Sequence, residues 1–71
     1  MHRKTNTIPK APVARILLNA GAKRVSGPAV DMLADIMMDE SMKIAKMAVE
    51  IAKHSGRKTV HEGDVKLAAK K

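Results

Sequence analysis

The sequence predicts an all-α fold of three helices in the order short, long, short. Three observations carry this. Residues 30–53 contain neither Pro nor Gly and are rich in Ala, Met, Lys and Glu, which are good helix formers. Apart from Glu40, charged residues in that stretch fall at steps of three and four: Asp31, Asp35, Asp39, Lys43, Lys46, Glu50 and Lys53. Gly21 and Gly56 punctuate the chain on either side, each close to a plausible helix end.

The first helix is expected from near Pro9 or Ala11 to Ala20. Proline suits a first turn, whose N–H groups lack intrahelical acceptors. Val13, Ile16, Leu17 and Ala20 give it one apolar face. Residues 22–26 leave room for at most one extended bridge. Ser26 can accept a bond from the first N–H groups of the long helix, and Pro28 fits its first turn. Acids lead in the first half of that helix and bases in the second, matching its dipole, with Asp39–Lys43 at i,i+4. Thr59 and Val60 favour extended backbone in the second connection. The last helix is expected from His61 or Glu62 to the chain end, and two caps stay open: Thr59 with Glu62, or His61 with Asp64.

Residues 1–7 carry Arg3 and Lys4 and read as a flexible basic arm or as a terminus without a role; residues 8–71 form one domain. A chain of 71 residues sits near the lower limit of independent stability. Cysteine is absent, which removes disulfides and thiolate metal sites; the three His follow no metal-ligand spacing. Oligomerisation is the remaining support. The long helix asks for it too. Leu33, Ile36, Met37, Ile44, Met47 and Ala48 belong to an apolar surface wider than a coiled-coil seam, so they are the expected dimer core.

The formal charge of +7 points to a polyanion, above all nucleic acid. The absence of aromatic residues excludes base stacking as the means of recognition. No apolar run is long enough for a membrane, and no signal-peptide core follows the basic N-terminus; a cytoplasmic location is expected. There is no nucleophile elbow, phosphate loop or pocket-forming carboxylate pair, so no enzyme, cofactor, metal or small-molecule substrate is expected.

The segments PKAPVARILLNAGAKRVS, AKHSGRKTV and Asp64 with Val65 and Leu67 resemble archaeal histones, from about Pro9 to Lys71. The resemblance implies a histone fold and a head-to-tail homodimer with crossed long helices. It implies binding of double-stranded DNA without sequence preference, on the chromosome, with dimers joining into tetramers or larger particles that wrap and compact DNA. Arg24 would enter the minor groove, and Arg15, Ser26, Lys58 and Thr59 would complete the DNA-binding set. Arg57 and Asp64 would form a salt bridge that fixes the second connection. Ile51, His54, Asp64 and Leu67 would join dimers. Gly21 would let successive superhelical turns touch, unless it only caps the first helix, with Asp35–Lys66 and Asp39–Lys70 as opposite charges between turns.

This chain departs from the family pattern at Gly27 and Pro28, and at Leu18 and Met42, where basic residues are common. It also lacks the short hydrophobic or aromatic close of many relatives. Two other readings stay open. One is a histone-fold subunit that heterodimerises in a transcription-related complex, and the other a bacterial-type histone-like protein with a different DNA geometry.

Overall fold

A computed structural model describes residues 8–70. It contains α1 (Lys10–Asn19), α2 (Gly27–His54) and α3 (Glu62–Ala69), with no strand among the described residues. Neither connection forms an extended bridge within the single chain. The basic arm at residues 1–7 lies outside the described residues, as does Lys71.

Pro9 precedes α1 in extended backbone, φ −63° and ψ 141°. Its ring fixes that φ, and the N–H it lacks would have had no intrahelical partner. α1 and α2 then end in the same way. Gly21 N–H donates to Leu18 O and Ala22 N–H to Leu17 O. Gly56 N–H donates to Lys53 O and Arg57 N–H to Ala52 O. These paired bonds are Schellman closures. Each needs a residue with positive φ, supplied by Gly21 at 119° and Gly56 at 74°.

Ser26 caps α2: its Oγ accepts from Ala29 N–H at 3.2 Å and its carbonyl from Val30 N–H at 3.1 Å. At α3 the competition between caps resolves to His61 and Asp64. The Asp64 carboxylate accepts from His61 N–H at 2.8 Å. Asp64 is free to do so because it stands at the third helical position, within reach of the orphan N–H at the cap.

The chain divides within α2 into two compact units, one through Asp39 and one from Glu40. In the first, Val13 of α1 packs with Val30 and Ala34 of α2. Ile8, Ala14, Leu17, Val25, Leu33 and Met37 cover this cluster in part. Lys10 Nζ lies 2.8 Å from Asp31 Oδ1 across the two helices. In the second unit the buried apolar residues are all alanines, Ala48, Ala52 and Ala68. Asp64 is buried there too, at 4 % exposure.

Val13 is the largest fully buried side chain. Larger apolar residues remain open to solvent, among them Ile16, Ile36, Met47 and Leu67.

Candidate nucleic-acid interface

The second connection is built around one ion pair. Arg57 is the residue that closes α2, so its backbone is already fixed. Its guanidinium grips Asp64 at two points, Nη1–Oδ2 at 2.8 Å and Nη2–Oδ1 at 2.9 Å. Nη1 also donates to Thr59 O at 3.1 Å. One side chain thereby ties the end of α2, the connection and the first turn of α3. The planar fork of Arg matches a carboxylate in this way; Lys does not. Asp64 completes its own shell with the His61 N–H bond. The Arg57 guanidinium, helped by that N–H, holds the Asp64 carboxyl far below the usual carboxylate range. Asp64 in turn raises the pKa of Arg57, mainly through the shared hydrogen bonds.

Lys58 and Thr59 lie between the clamped positions and are exposed. The clamp engages the Thr59 carbonyl, not its hydroxyl. A cation and a hydroxyl held on a short rigid loop can donate to phosphate oxygens with little ordering cost.

The first connection is held differently. Backbone bonds at Gly21 and Ala22 set its start, and the Ser26 cap sets its end. Val25 is half-buried against the Val13 cluster, whereas Arg24 beside it is exposed. Ser26 spends its hydroxyl oxygen as an acceptor and keeps its O–H available as a donor. Arg15 is exposed on α1. Arg15, Arg24 and Ser26 thus belong to the first unit, and Lys58 and Thr59 to the second.

The residues expected between chains divide by exposure. Ile36 and Met47 are exposed at 50 % and 40 %, and Leu33, Met37 and Ile44 are half-buried. Ala48 is 1 % exposed, already covered by its own chain. His54 and Leu67 are exposed and Ile51 is half-buried. Asp64 Oδ1 accepts one bond and retains a second lone pair. Gly21, Asp35, Asp39, Lys66 and Lys70 are all exposed. A Cβ built at Gly21 would meet nothing within 4 Å, yet its φ makes any side chain strained there.

Two pairings escape sequence reasoning. Lys10–Asp31 joins residues 21 apart in the chain, which only the packing of α1 on α2 brings together. Lys43 Nζ lies 3.4 Å from Glu40 Oε2. That i,i+3 spacing is present in the sequence, but Asp39 at i,i+4 competes for the same lysine.

Among the described residues, no group of three His, Cys, Asp or Glu could hold a metal. None of the described helices is long and apolar enough to cross a membrane.

A family model described as histone-like transcription factor (CBF/NF-Y) and archaeal histone matches residues 6–69. The chain is 44 % identical over 63 residues to a subunit of archaeal histone HAN1 from Thermococcus zilligii, covering 89 % of this chain and 94 % of that protein. It is 46 % identical over 61 residues to probable archaeal histone 3 of Methanocaldococcus jannaschii, covering 86 % and 91 % respectively. Three helices with no strand among the described residues, a basic clamped connection and these matches lead to one conclusion: the chain belongs to the histone-fold family, among the archaeal histones.

Proposed function

We propose that this chain packages double-stranded DNA as a sequence-indifferent architectural protein. The observation that carries the reading is the Arg57–Asp64 clamp, which rigidly presents Lys58 and Thr59 on a chain of formal charge +7. Arg15, Arg24 and Ser26 form the other half of the DNA-binding set. Arg24 inserts into the minor groove, where negative potential is enhanced and no base need be read. Lys58 neutralises a phosphate, while Thr59 donates from its hydroxyl and N–H.

The working unit is a head-to-tail homodimer. Exposed Ile36 and Met47 support it, because one chain leaves them in water. Ile51, His54, Asp64 and Leu67 join dimers into tetramers or larger particles. Gly21, with Asp35–Lys66 and Asp39–Lys70, lets successive turns on DNA approach. The protein works in the cytoplasm, on the chromosome.

Measured binding against salt tests this. Each neutralised phosphate contributes about −0.9 to the slope of log K on log salt. Lys58→Ala weakens binding on every sequence alike and makes the slope shallower by about one. Binding that is flat from low to moderate salt would overturn the proposal. His54→Ala leaves dimers intact but shortens nuclease-protected ladders. For Gly21 the informative pair is Gly21→Ala and Gly21→Asp. Both carry the backbone strain, and only the second adds a charged side chain to the approach surface.

A further inference from the structure

Four residues near the middle of α2 form a sequence palindrome on one helix face: Ile36, Glu40, Lys43 and Met47. Their spacing is i, i+4, i+7, i+11, the repeat of a single helical face. The order is apolar, acid, base, apolar. All four are exposed: Ile36 at 50 %, Met47 at 40 %, and the Glu40 and Lys43 side chains at 62 % and 73 %. Glu40 and Lys43 straddle the centre of Gly27–His54.

A two-fold axis through the palindrome's own midpoint, between Ser41 and Met42, with the second helix running head to tail, places the start of the palindrome against the end of its copy. Glu40 then faces Lys43 of the second copy, and Lys43 faces its Glu40. Ile36 and Met47 meet at either end. An isologous interface requires this self-complementarity, since each contact occurs twice. The intrachain Glu40–Lys43 contact is loose at 3.4 Å and largely in water, so exchanging it for an interchain pair forfeits little.

Space for the exchange is present. A shallow cavity of about 220 Å³ is lined by Glu40, Lys43, Ile44 and Met47 of α2 and by Ala68 and Ala69 of α3. The two alanines leave room that an incoming aliphatic side chain fills. Ile36 of the second copy is the apolar knob that the pairing brings toward Met47.

We propose that Glu40 and Lys43 form two reciprocal interchain pairs across the dimer axis, so that this face of α2 selects a second copy of the same chain. A histone-fold chain without the acid and base at these two positions would leave Glu40 or Lys43 facing an apolar or like-charged neighbour, which penalises the wrong partner. The inference rests on the proposed head-to-tail dimer, and adds to it the residues that decide who pairs with whom.

Charge exchange in the full-length chain tests it by sedimentation equilibrium, with concentration-dependent melting as a second measure. Glu40→Lys places Lys opposite Lys43, and Lys43→Glu places Glu opposite Glu40. Each single variant weakens its own homodimer by roughly tenfold or more in Kd, a change of about 1.4 kcal/mol per decade. Mixing the two single variants restores a dimer of near wild-type affinity, and so does the double exchange Glu40→Lys with Lys43→Glu. Restoration in both cases shows that poor folding is not the cause of the single-variant losses. If Lys43→Glu leaves dimerisation unchanged, Lys43 does not face Glu40 of the second copy, and if Glu40→Gln tightens it, Glu40 faces a like charge; either outcome breaks the reciprocal pairing while the dimer stands. A wild-type chain that is folded and monomeric at all concentrations would instead remove the dimer reading itself.

Discussion

The two units of this chain are held by different physics. The unit through Asp39 rests on branched aliphatic packing, with Val13 against Val30 and Ala34. The unit from Glu40 has only alanines in its buried apolar set, and its tie is the Arg57–Asp64 pair. Apolar packing is indifferent to pH and tolerant of conservative change. A bidentate ion pair with its carboxylate buried and its guanidinium half-buried is directional and fails abruptly when one partner is lost. The contrast suits the two connections. Arg24 is positioned by backbone closure and a half-buried neighbour, whereas Lys58 and Thr59 are positioned by a side-chain clamp.

The clamp is where the comparison breaks most easily. Asp64→Asn leaves the Arg57 charge without its counterpart and replaces one of the two acceptor oxygens with an NH2 donor, so the bidentate grip and the α3 cap can no longer both be satisfied. It should lower Tm more than truncation of Val13 or Ser26 to Ala does. Hydrogen exchange should rise at Lys58 and Thr59, and remain unchanged at Arg24. Changing Arg57→Met together with Asp64→Asn should cost less than the sum of the single changes, because no orphaned charge remains. Strict additivity would mean that the pair does not act as one device.

Acid titration sharpens the same point. Asp64 is held below its ordinary value of 3.8 in the folded chain. Near and below that ordinary value the unfolded chain takes up a proton and the folded chain does not. Stability contributed by Asp64 is therefore full above about pH 4. It declines as pH falls toward the depressed folded value. Melting of the wild type against Asp64→Asn between pH 5 and 2 checks this: the gap between them should close as the medium becomes more acidic. A gap that widens would reverse the sign and exclude the clamp as its source.

In the first unit, Val13→Ala should cost about 2 kcal/mol, since Val13 is 1 % exposed and its neighbours close the site. The fall in Tm should not depend on pH from 2 to 7. Ser26→Ala should cost about 1 kcal/mol through the lost α2 cap, and should lower DNA affinity by displacing Arg24. Guanidinium or thermal melts and DNA titration measure both.

These contrasts also mark how far the sequence could be read. Helix number, order and approximate ends were legible because Pro9, Gly21, Ser26 and Gly56 are local signals. Arg57–Asp64 spans one turn and seven residues, and the resemblance to histones supplied its assignment. The choice of His61 over Thr59 as cap was not legible, since both spacings fit and only the pull of Arg57 on Asp64 orients the carboxylate. Nor was the burial of Ala48 separable from the exposure of Met47, although they are adjacent. Helical periodicity gives a face, but it does not say whether that face meets α3 of the same chain or a second chain. Lys10–Asp31 depends on how α1 lies on α2, a tertiary fact with no local signature.

That pair supplies the smallest expected effect and the most direct test of what holds the first unit. Lys10 and Asp31 are in good contact at 2.8 Å, but their side chains are 50 % and 64 % exposed. Asp31 raises the Lys10 pKa, first through the hydrogen bond and then through its charge, with Asp35 adding a little. Water and salt screen such a pair, and fixing the long Lys10 side chain offsets most of the attraction. Lys10→Met keeps the aliphatic stem on the helix and deletes the charge. At about 0.15 M salt, where the Debye length is roughly 8 Å, Tm should move by no more than about a degree. At low salt the loss should become measurable, because screening is then weaker. A loss at moderate salt equal to that of Val13→Ala would place an ion pair, not aliphatic packing, at the centre of this unit, and the contrast between the two halves of the chain would fail.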